Sequence, residues 1–202
     1  MSSLNQKQQS DEELMVQVMS HHASLSAKQA ELALMELHRR YSKKLLGYFI
    51  KMLNKDADLA QDFVQEIFLK LLEKKHLFDP EKKFYSWIFT IASNMCKTAY
   101  RHQGKTVSLH TQVIERGVLG ENELEKSLFL KALEISIDNL EHHHKSVFVL
   151  RYLEHFSLNE IAEITDSSLG TVKSRLFYAT RKITEELKPY DPSFETTLFK
   201  LI

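Results

Sequence analysis

The chain has 202 residues, 43% of them hydrophobic, enough apolar material for one or two small packed domains. Only five Gly and three Pro, with no long alternating β-branched runs, point to mostly helical structure, and a charged fraction of 27% argues against wholesale disorder. The 27 basic and 27 acidic residues cancel. That balance argues against a uniformly basic, nonspecific nucleic-acid binder and suits a chain with basic faces for nucleic acid and acidic faces for a protein.

Residues 1–10 are polar. Ser10 and Glu13 form a capping-box pattern that predicts a short helix over Asp11–Met19. Ser26 with Gln29 predicts the start of a longer helix, in which Ala30, Leu34, Leu37, Tyr41, Leu45 and Tyr48 fall near helical spacing. Asn54-Lys55-Asp56 reads as a turn plus an N-cap. Beyond it, Leu59, Phe63, Ile67 and Leu71, with Ala60, Val64, Phe68 and Leu72, form an apolar stripe. The opposite face carries Asp58, Asp62, Gln65, Glu66, Lys70 and Glu73.

Asp79-Pro80 predicts the next helix start, with Asp as cap and Pro in the first turn. This helix holds Phe84, Trp87, Ile88, Ile91, Ala92, Met95 and Cys96, and Gly104 marks its end. Residues 104–122 contain Gly104, Gly117 and Gly120 with little periodicity, and read as a flexible linker. Helical patterning resumes at Glu123, and two prolines precede an apolar-rich tail with Phe194, Leu198, Phe199, Leu201 and Ile202. The lone Cys96 has no internal disulfide partner and reads as a small core residue. No signal pattern opens the sequence and no apolar run approaches the roughly 20 residues of a bilayer span, so the expected location is cytoplasmic, without membrane insertion.

The sharpest local signal runs from Ser157 to Leu176. Ser157 and Glu160 make a capping box, Ile161 and Ala162 face inward, Ser168 caps a second helix, and Val172 and Leu176 anchor it. Its outer face offers Thr171, Lys173, Ser174, Arg175, Tyr178, Arg181 and Lys182. This is the layout of a helix-turn-helix, in which the second helix enters the major groove and nearby cations hold phosphates. On spacing alone, a helical hairpin with a solvated basic face remains the competing reading.

The stretch from Leu140 through Val147–Ala162 to Gly170–Leu176 resembles the C-terminal domain of extracytoplasmic-function sigma factors of the sigma-70 family. Ala60–Leu71 resembles the polymerase-binding helix of their N-terminal domain, and Phe84–Asn94 their promoter-melting segment. The motifs stand in family order and, with the helices between, cover roughly residues 27–188. The resemblance implies an all-α fold of two helical domains joined by a flexible linker: residues 1–26 as an N-terminal extension with a short helix, 27–103 as region 2, 104–122 as linker, 123–188 as the region 4 helix-turn-helix, and 189–202 as a tail.

The resemblance also implies roles. Asp62, Phe63, Gln65, Glu66 and Phe68 would dock on the clamp of core RNA polymerase. Lys82, Lys83, Asn94, Lys97, Tyr100 and Arg101 would bind and open promoter DNA at the minus-ten element, while Phe84 and Trp87 have core spacing. Thr171, Lys173, Ser174, Arg175 and Tyr178 would read the minus-thirty-five element, with Arg181 and Lys182 on phosphate, and the apolar flank of this domain would meet the polymerase flap. An anti-sigma factor clamped between the domains is a further implied partner. Phosphodiester synthesis would belong to the polymerase, so no catalytic residue and no cofactor is expected.

The sequence departs from the family pattern in its turn, where Asp166 replaces a usual Gly and Ser167 a usual apolar residue. Both changes predict a looser turn, and Tyr178 stands where a cation is common. These departures motivate an alternative, a sigma-like factor recruited to DNA by another targeting protein; its tail would be a docking surface, against the preferred reading in which the tail packs back on the C-terminal domain. A simple helix-turn-helix regulator, or an adaptor acting only through proteins, are the other readings. His142-His143-His144, with His155 and His21-His22, invites a metal reading, but consecutive helical residues point in different directions. Solvated histidines ahead of a helix are expected, with no metal site.

Overall fold

The computed structural model describes residues 8–20, 24–103 and 121–189, and every regular element among them is helical. Two compact units change over between His102 and Gln103. The expected linker over 104–122 and the tail over 189–202 lie, but for Glu121, Asn122 and Pro189, outside the described residues, as do His21 and His22.

In the first unit, α1 spans Asp11–Met19, α2 Ser24–Met52, α3 Ala57–Lys74 and α4 Phe84–Gln103, with a 3₁₀ turn at Lys75–Leu77. The capping box on α1 closes reciprocally: Glu13 N–H donates to Ser10 Oγ at 3.1 Å and Ser10 N–H to Glu13 Oε2 at 2.9 Å. Helix α1 is not an appendage. Leu14 and Met15 are fully buried and Val18 nearly so, burial that contributes roughly 1.5–3 kcal/mol per side chain. Asp11 pairs with Arg40 at 2.6 Å and accepts from the Tyr41 hydroxyl, and Lys75 Nζ meets the Val18 carbonyl at 3.3 Å. The expected extension is therefore part of this unit's core, joined to α2 and the 3₁₀ turn.

Helix α2 begins at Ser24, so Ser26 lies within its first turn rather than at its cap. Asn54 and Lys55 adopt left-handed backbone (φ 54° and 67°), and Asp56 then caps α3 by accepting from Leu59 N–H at 2.9 Å. Rings join α2 to α4: Tyr41 lies edge-on to Phe84 at 5.1 Å and Tyr48 to Phe89 at 5.2 Å. Asp79 does not start a helix. Its side chain accepts from Glu81 N–H at 3.0 Å and its carbonyl from Lys82 N–H at 3.0 Å, so Asp79-Pro80 closes a turn, and α4 begins five residues beyond Asp79 at Phe84.

In the second unit, α5 spans Glu121–Asp138, α6 His142–Tyr152, α7 Leu158–Ile164 and α8 Leu169–Leu187. Helix α8 packs on α5 and α6. Its buried stripe, Val172, Leu176, Ala179, Ile183 and Leu187, follows the helical repeat. Sequence reasoning missed a buried cation here. Lys145 is 2% exposed and pairs with Asp138 Oδ1 at 3.0 Å, tying α6 to the end of α5.

Candidate polymerase and promoter interfaces

Helix α3 turns Ala60, Val64, Ile67, Phe68 and Leu71 into the core, which leaves Asp62, Gln65 and Glu66 on the opposite, exposed side. Lys70 pairs with Glu66 at 3.0 Å along this face. Phe63 and Phe68, both expected to dock, are placed differently. Phe68 is buried against the His38 ring at 4.7 Å, and Phe63 is half-buried, edge-on to Phe49 at 5.4 Å. Both support the helix from within. The apolar residue on the outer face is Leu69, 62% exposed and at i+3 from Glu66 and i+4 from Gln65. Its position off the buried stripe was the available signal. Between α2 and α3 runs an open groove lined by Ser42, Lys43, Leu46, Gln61, Val64 and Gln65, continuous with this face.

Helix α4 buries Phe84, Ile88, Phe89, Ala92 and Cys96. Asn94, Lys97 and Arg101 fall on its exposed side at i, i+3 and i+7, and Tyr100 beside them is 38% exposed. The three span about 10 Å of helix axis. Arg101 Nε turns back to the Lys97 carbonyl at 3.4 Å. Lys82 and Lys83 are exposed directly ahead of the helix. Trp87 is half-buried, edge-on to Phe78 at 5.2 Å and tilted against Phe84 at 6.1 Å. Helix α4 and the turn before it thus carry cations and an aromatic ring over an apolar base, a combination suited to phosphates and unstacked bases.

The helix-turn-helix is closed by local bonds. Ser157 N–H donates to Glu160 Oε2 at 2.9 Å and Glu160 N–H to Ser157 Oγ at 3.2 Å, which caps α7. Ser168 Oγ accepts from Thr171 N–H at 3.1 Å and lies 2.8 Å from the Thr171 hydroxyl, which caps α8. The expected looser turn is not observed. Asp166 takes the left-handed backbone (φ 48°) that a short polar side chain tolerates. Ser167 N–H donates to the Ala162 carbonyl at 2.9 Å, and Ser167 Oγ accepts from Arg175 Nη1 at 2.9 Å. The serine that replaces an apolar residue thereby anchors α8 to the turn.

That bond changes the reading of Arg175, which is half-buried and braces the motif rather than standing free on its outer face. Lys173, Ser174 and Tyr178 are exposed on the side opposite Val172 and Leu176. Thr171 is half-buried in the cap. Lys182 Nζ donates to the Asn139 carbonyl at 2.7 Å, just past the end of α5, and Arg181 pairs with Glu185 at 2.9 Å. Both cations stay substantially exposed. Phe177, 49% exposed and absent from the sequence candidates, sits beside Tyr178 with ring centres 5.6 Å apart. Together they put an aromatic pair in the middle of a basic stripe.

The histidine run is the first turn of α6, not a solvated lead-in. His142 is buried, and the half-buried His144 ring lies 6.1 Å from Tyr178. Among the described residues no three His, Cys, Asp or Glu side chains gather as an ion would need, and no helix is long and apolar enough to cross a membrane.

Comparison with known proteins agrees with this geometry. Residues 37–106 match the family description Sigma-70 region 2, and residues 136–185 match Sigma-70, region 4. An ECF RNA polymerase sigma-E factor from Haemophilus influenzae is 30% identical over 74% of this chain and 85% of its own length. The ECF RNA polymerase sigma factor SigW of Bacillus subtilis is 26% identical over 73% of this chain and 85% of its own. Among solved structures, CnrH in complex with the cytosolic domain of CnrY superposes with a TM-score of 0.63 at 21% identity, over 89% of this chain and 97% of that one. The sigma factor RpoE in complex with the anti-sigma factor NepR from Bartonella quintana gives a TM-score of 0.57 at 24% identity, over 73% of this chain and 91% of that one. At these identities the structures show a shared fold. A helix-turn-helix regulator without a polymerase-binding domain is not favoured, because region 2 matches as well as region 4. With both segments in order, and relatives of one kind along most of its length, the chain belongs to the extracytoplasmic-function sigma factors of the sigma-70 family, which direct RNA polymerase to promoters and initiate transcription.

Proposed function

We propose a division of that activity among three helices. The outer face of α3, with Asp62, Gln65, Glu66 and Leu69, meets the clamp of core polymerase. The exposed side of α4, with Asn94, Lys97, Tyr100 and Arg101 and the adjacent Lys82 and Lys83, engages and opens the minus-ten element. On α8, Lys173, Ser174, Phe177 and Tyr178 enter the major groove at the minus-thirty-five element, Thr171 and Ser168 set the helix start, and Arg181 and Lys182 reach phosphate. The apolar flank of this domain meets the polymerase flap. On this reading the first unit, with α1 in its core, forms the polymerase and minus-ten domain, and α5 to α8, from Glu121 on, form the minus-thirty-five domain. The chain catalyses no step itself and acts in the cytoplasm.

The observation that carries the reading is on α8. Its exposed residues, Lys173, Ser174, Phe177, Tyr178, Arg181 and Lys182, fall opposite a continuous buried stripe, so one helix presents cations, a hydroxyl and two rings together. Rings and methyl-seeking apolar groups contact thymine methyls, while cations and hydroxyls reach base edges and phosphates. An anti-sigma partner is supported by the solved structures that share the fold, the sigma factor RpoE in complex with the anti-sigma factor NepR and CnrH in complex with the cytosolic domain of CnrY. Photo-crosslinkers at Lys97 and at Lys173, in holoenzyme on one promoter, test the assignment. Crosslinks near minus ten from the first and near minus thirty-five from the second are expected; the reverse pattern contradicts it.

A further inference from the structure

Helix α4 begins at Phe84, with a lysine at the cap position. Lys83 precedes it, and an ammonium side chain has donors only. Upstream, the Asp79 carboxylate accepts from Glu81 N–H and so closes the turn before the helix. The N–H of Phe84 instead reaches Oε1 of Glu12, at 2.9 Å and across 72 residues. Glu12 lies in the first turn of α1, whose neighbouring residue Asp11 pairs with Arg40 at 2.6 Å and binds the Tyr41 hydroxyl. Tyr41 in turn packs edge-on against Phe84, a fully buried ring. Two adjacent carboxylates on α1 thus grip α2 and the start of α4 together. Burial pushes the Glu12 carboxyl up, but the Phe84 N–H, its own backbone N–H, the Ser10 hydroxyl and the Lys83 charge outweigh that and hold it below the usual carboxylate range. The anion also faces the positive end of the α4 dipole. The region 2 match begins at residue 37, so Glu12 lies outside it.

We propose that Glu12 is a positioning residue for promoter opening, which fixes the first turn of α4 and so keeps Lys82 and Lys83 in register with Asn94, Lys97 and Arg101. The inference rests on the assignment of minus-ten opening to α4. Loss of the acceptor frees the first turn and leaves a half-buried N–H without its carboxylate. The two lysines at that turn then sample more orientations at the moment DNA must be opened.

The test uses holoenzyme assembled from the full chain, with Glu12→Gln, Glu12→Leu and the double change Lys97→Ala/Arg101→Ala. Opening is read by permanganate reactivity of minus-ten thymines on duplex promoter, and compared with transcription from a template already unpaired there. Glu12→Leu is expected to slow opening of the duplex about tenfold, the scale of one lost charge-assisted hydrogen bond. Core affinity and the rate on the unpaired template should stay within about twofold. Glu12→Gln keeps an acceptor oxygen and the side-chain volume and should fall between. Equal losses on both templates, or no loss with Glu12→Gln and Glu12→Leu while the double change abolishes opening, overturn the role of Glu12. No loss with the double change overturns the α4 assignment, and the role of Glu12 with it.

Discussion

The bond between Arg175 and Ser167 makes a quantitative prediction about promoter binding. If Arg175 acts as a brace, removal of either partner should have much the same effect, and removal of both should cost little more than removal of one. The bond is 2.9 Å long, joins a guanidinium to a hydroxyl, and spans eight residues, from the turn to the second turn of α8. A hydrogen bond to a charged group contributes roughly 1.5–3 kcal/mol, and partial exposure of Arg175 lowers that to about 1 kcal/mol. About 1 kcal/mol is a fivefold change in affinity. Ser167→Ala, Arg175→Ala and the double variant should therefore each weaken holoenzyme binding to a minus-thirty-five duplex about fivefold, with a coupling energy near 1 kcal/mol. Fluorescence anisotropy on the matched duplex, and on duplexes with single base changes, gives both affinity and discrimination. If Arg175 instead reads a base directly, Ser167→Ala is silent, Arg175→Ala relaxes discrimination at one position, and the coupling energy is zero. That result refutes the brace.

Other expectations follow from the same structure. Ser168→Ala removes the α8 cap and should lower stability by about 1 kcal/mol, seen as a drop of roughly 4–8 °C in the melting midpoint of a domain this size. Glu36 is buried and held at a pKa of about 2, first by the Arg39 hydrogen bond against the opposing effect of burial, with Arg40 adding to it. Because that pKa is depressed, its stabilisation is complete above the ordinary carboxylate value of 4.5 and is lost as pH falls toward 2. Stability should therefore fall by about 1 kcal/mol between pH 6 and pH 3.5 through this group, and Glu36→Gln should remove that part of the acid sensitivity in urea titrations. Asp138→Ala takes the carboxylate from buried Lys145 and should destabilise by about 2–3 kcal/mol, more than Lys145→Met, which removes the charge as well. Lys97→Ala and Arg101→Ala should each reduce the salt dependence of promoter binding by about one unit of slope.

The elements legible in the sequence are those held by neighbours in the chain. Ser10 with Glu13, Asp56 with Leu59, Ser157 with Glu160 and Ser168 with Thr171 all close over three residues, so each cap could be read from spacing alone. The buried stripes of α3 and α8 were legible for the same reason, because the helical repeat is local. What was missed is held at a distance. Asp79-Pro80 has every local mark of a helix start, yet α4 takes its acceptor from Glu12 and begins at Phe84. Phe68 belongs to the apolar stripe by its spacing, and its docking role comes only from the resemblance; the ring lies against His38 of α2 instead. Ser167 reads as a defect in the turn until Arg175 is placed against it, and the burial of Lys145 depends on Asp138, seven residues back on the preceding helix. The spacing of the histidine run carries no sign that His142 is buried within a helix.

The most direct test of the account is run-off transcription with matched core polymerase on a library of genomic promoters, with and without the chain. The account predicts specific starts from purified components, lost when Lys173 and Tyr178 are replaced together. Failure to bind core polymerase, or core binding with no specific start on any promoter, would contradict it.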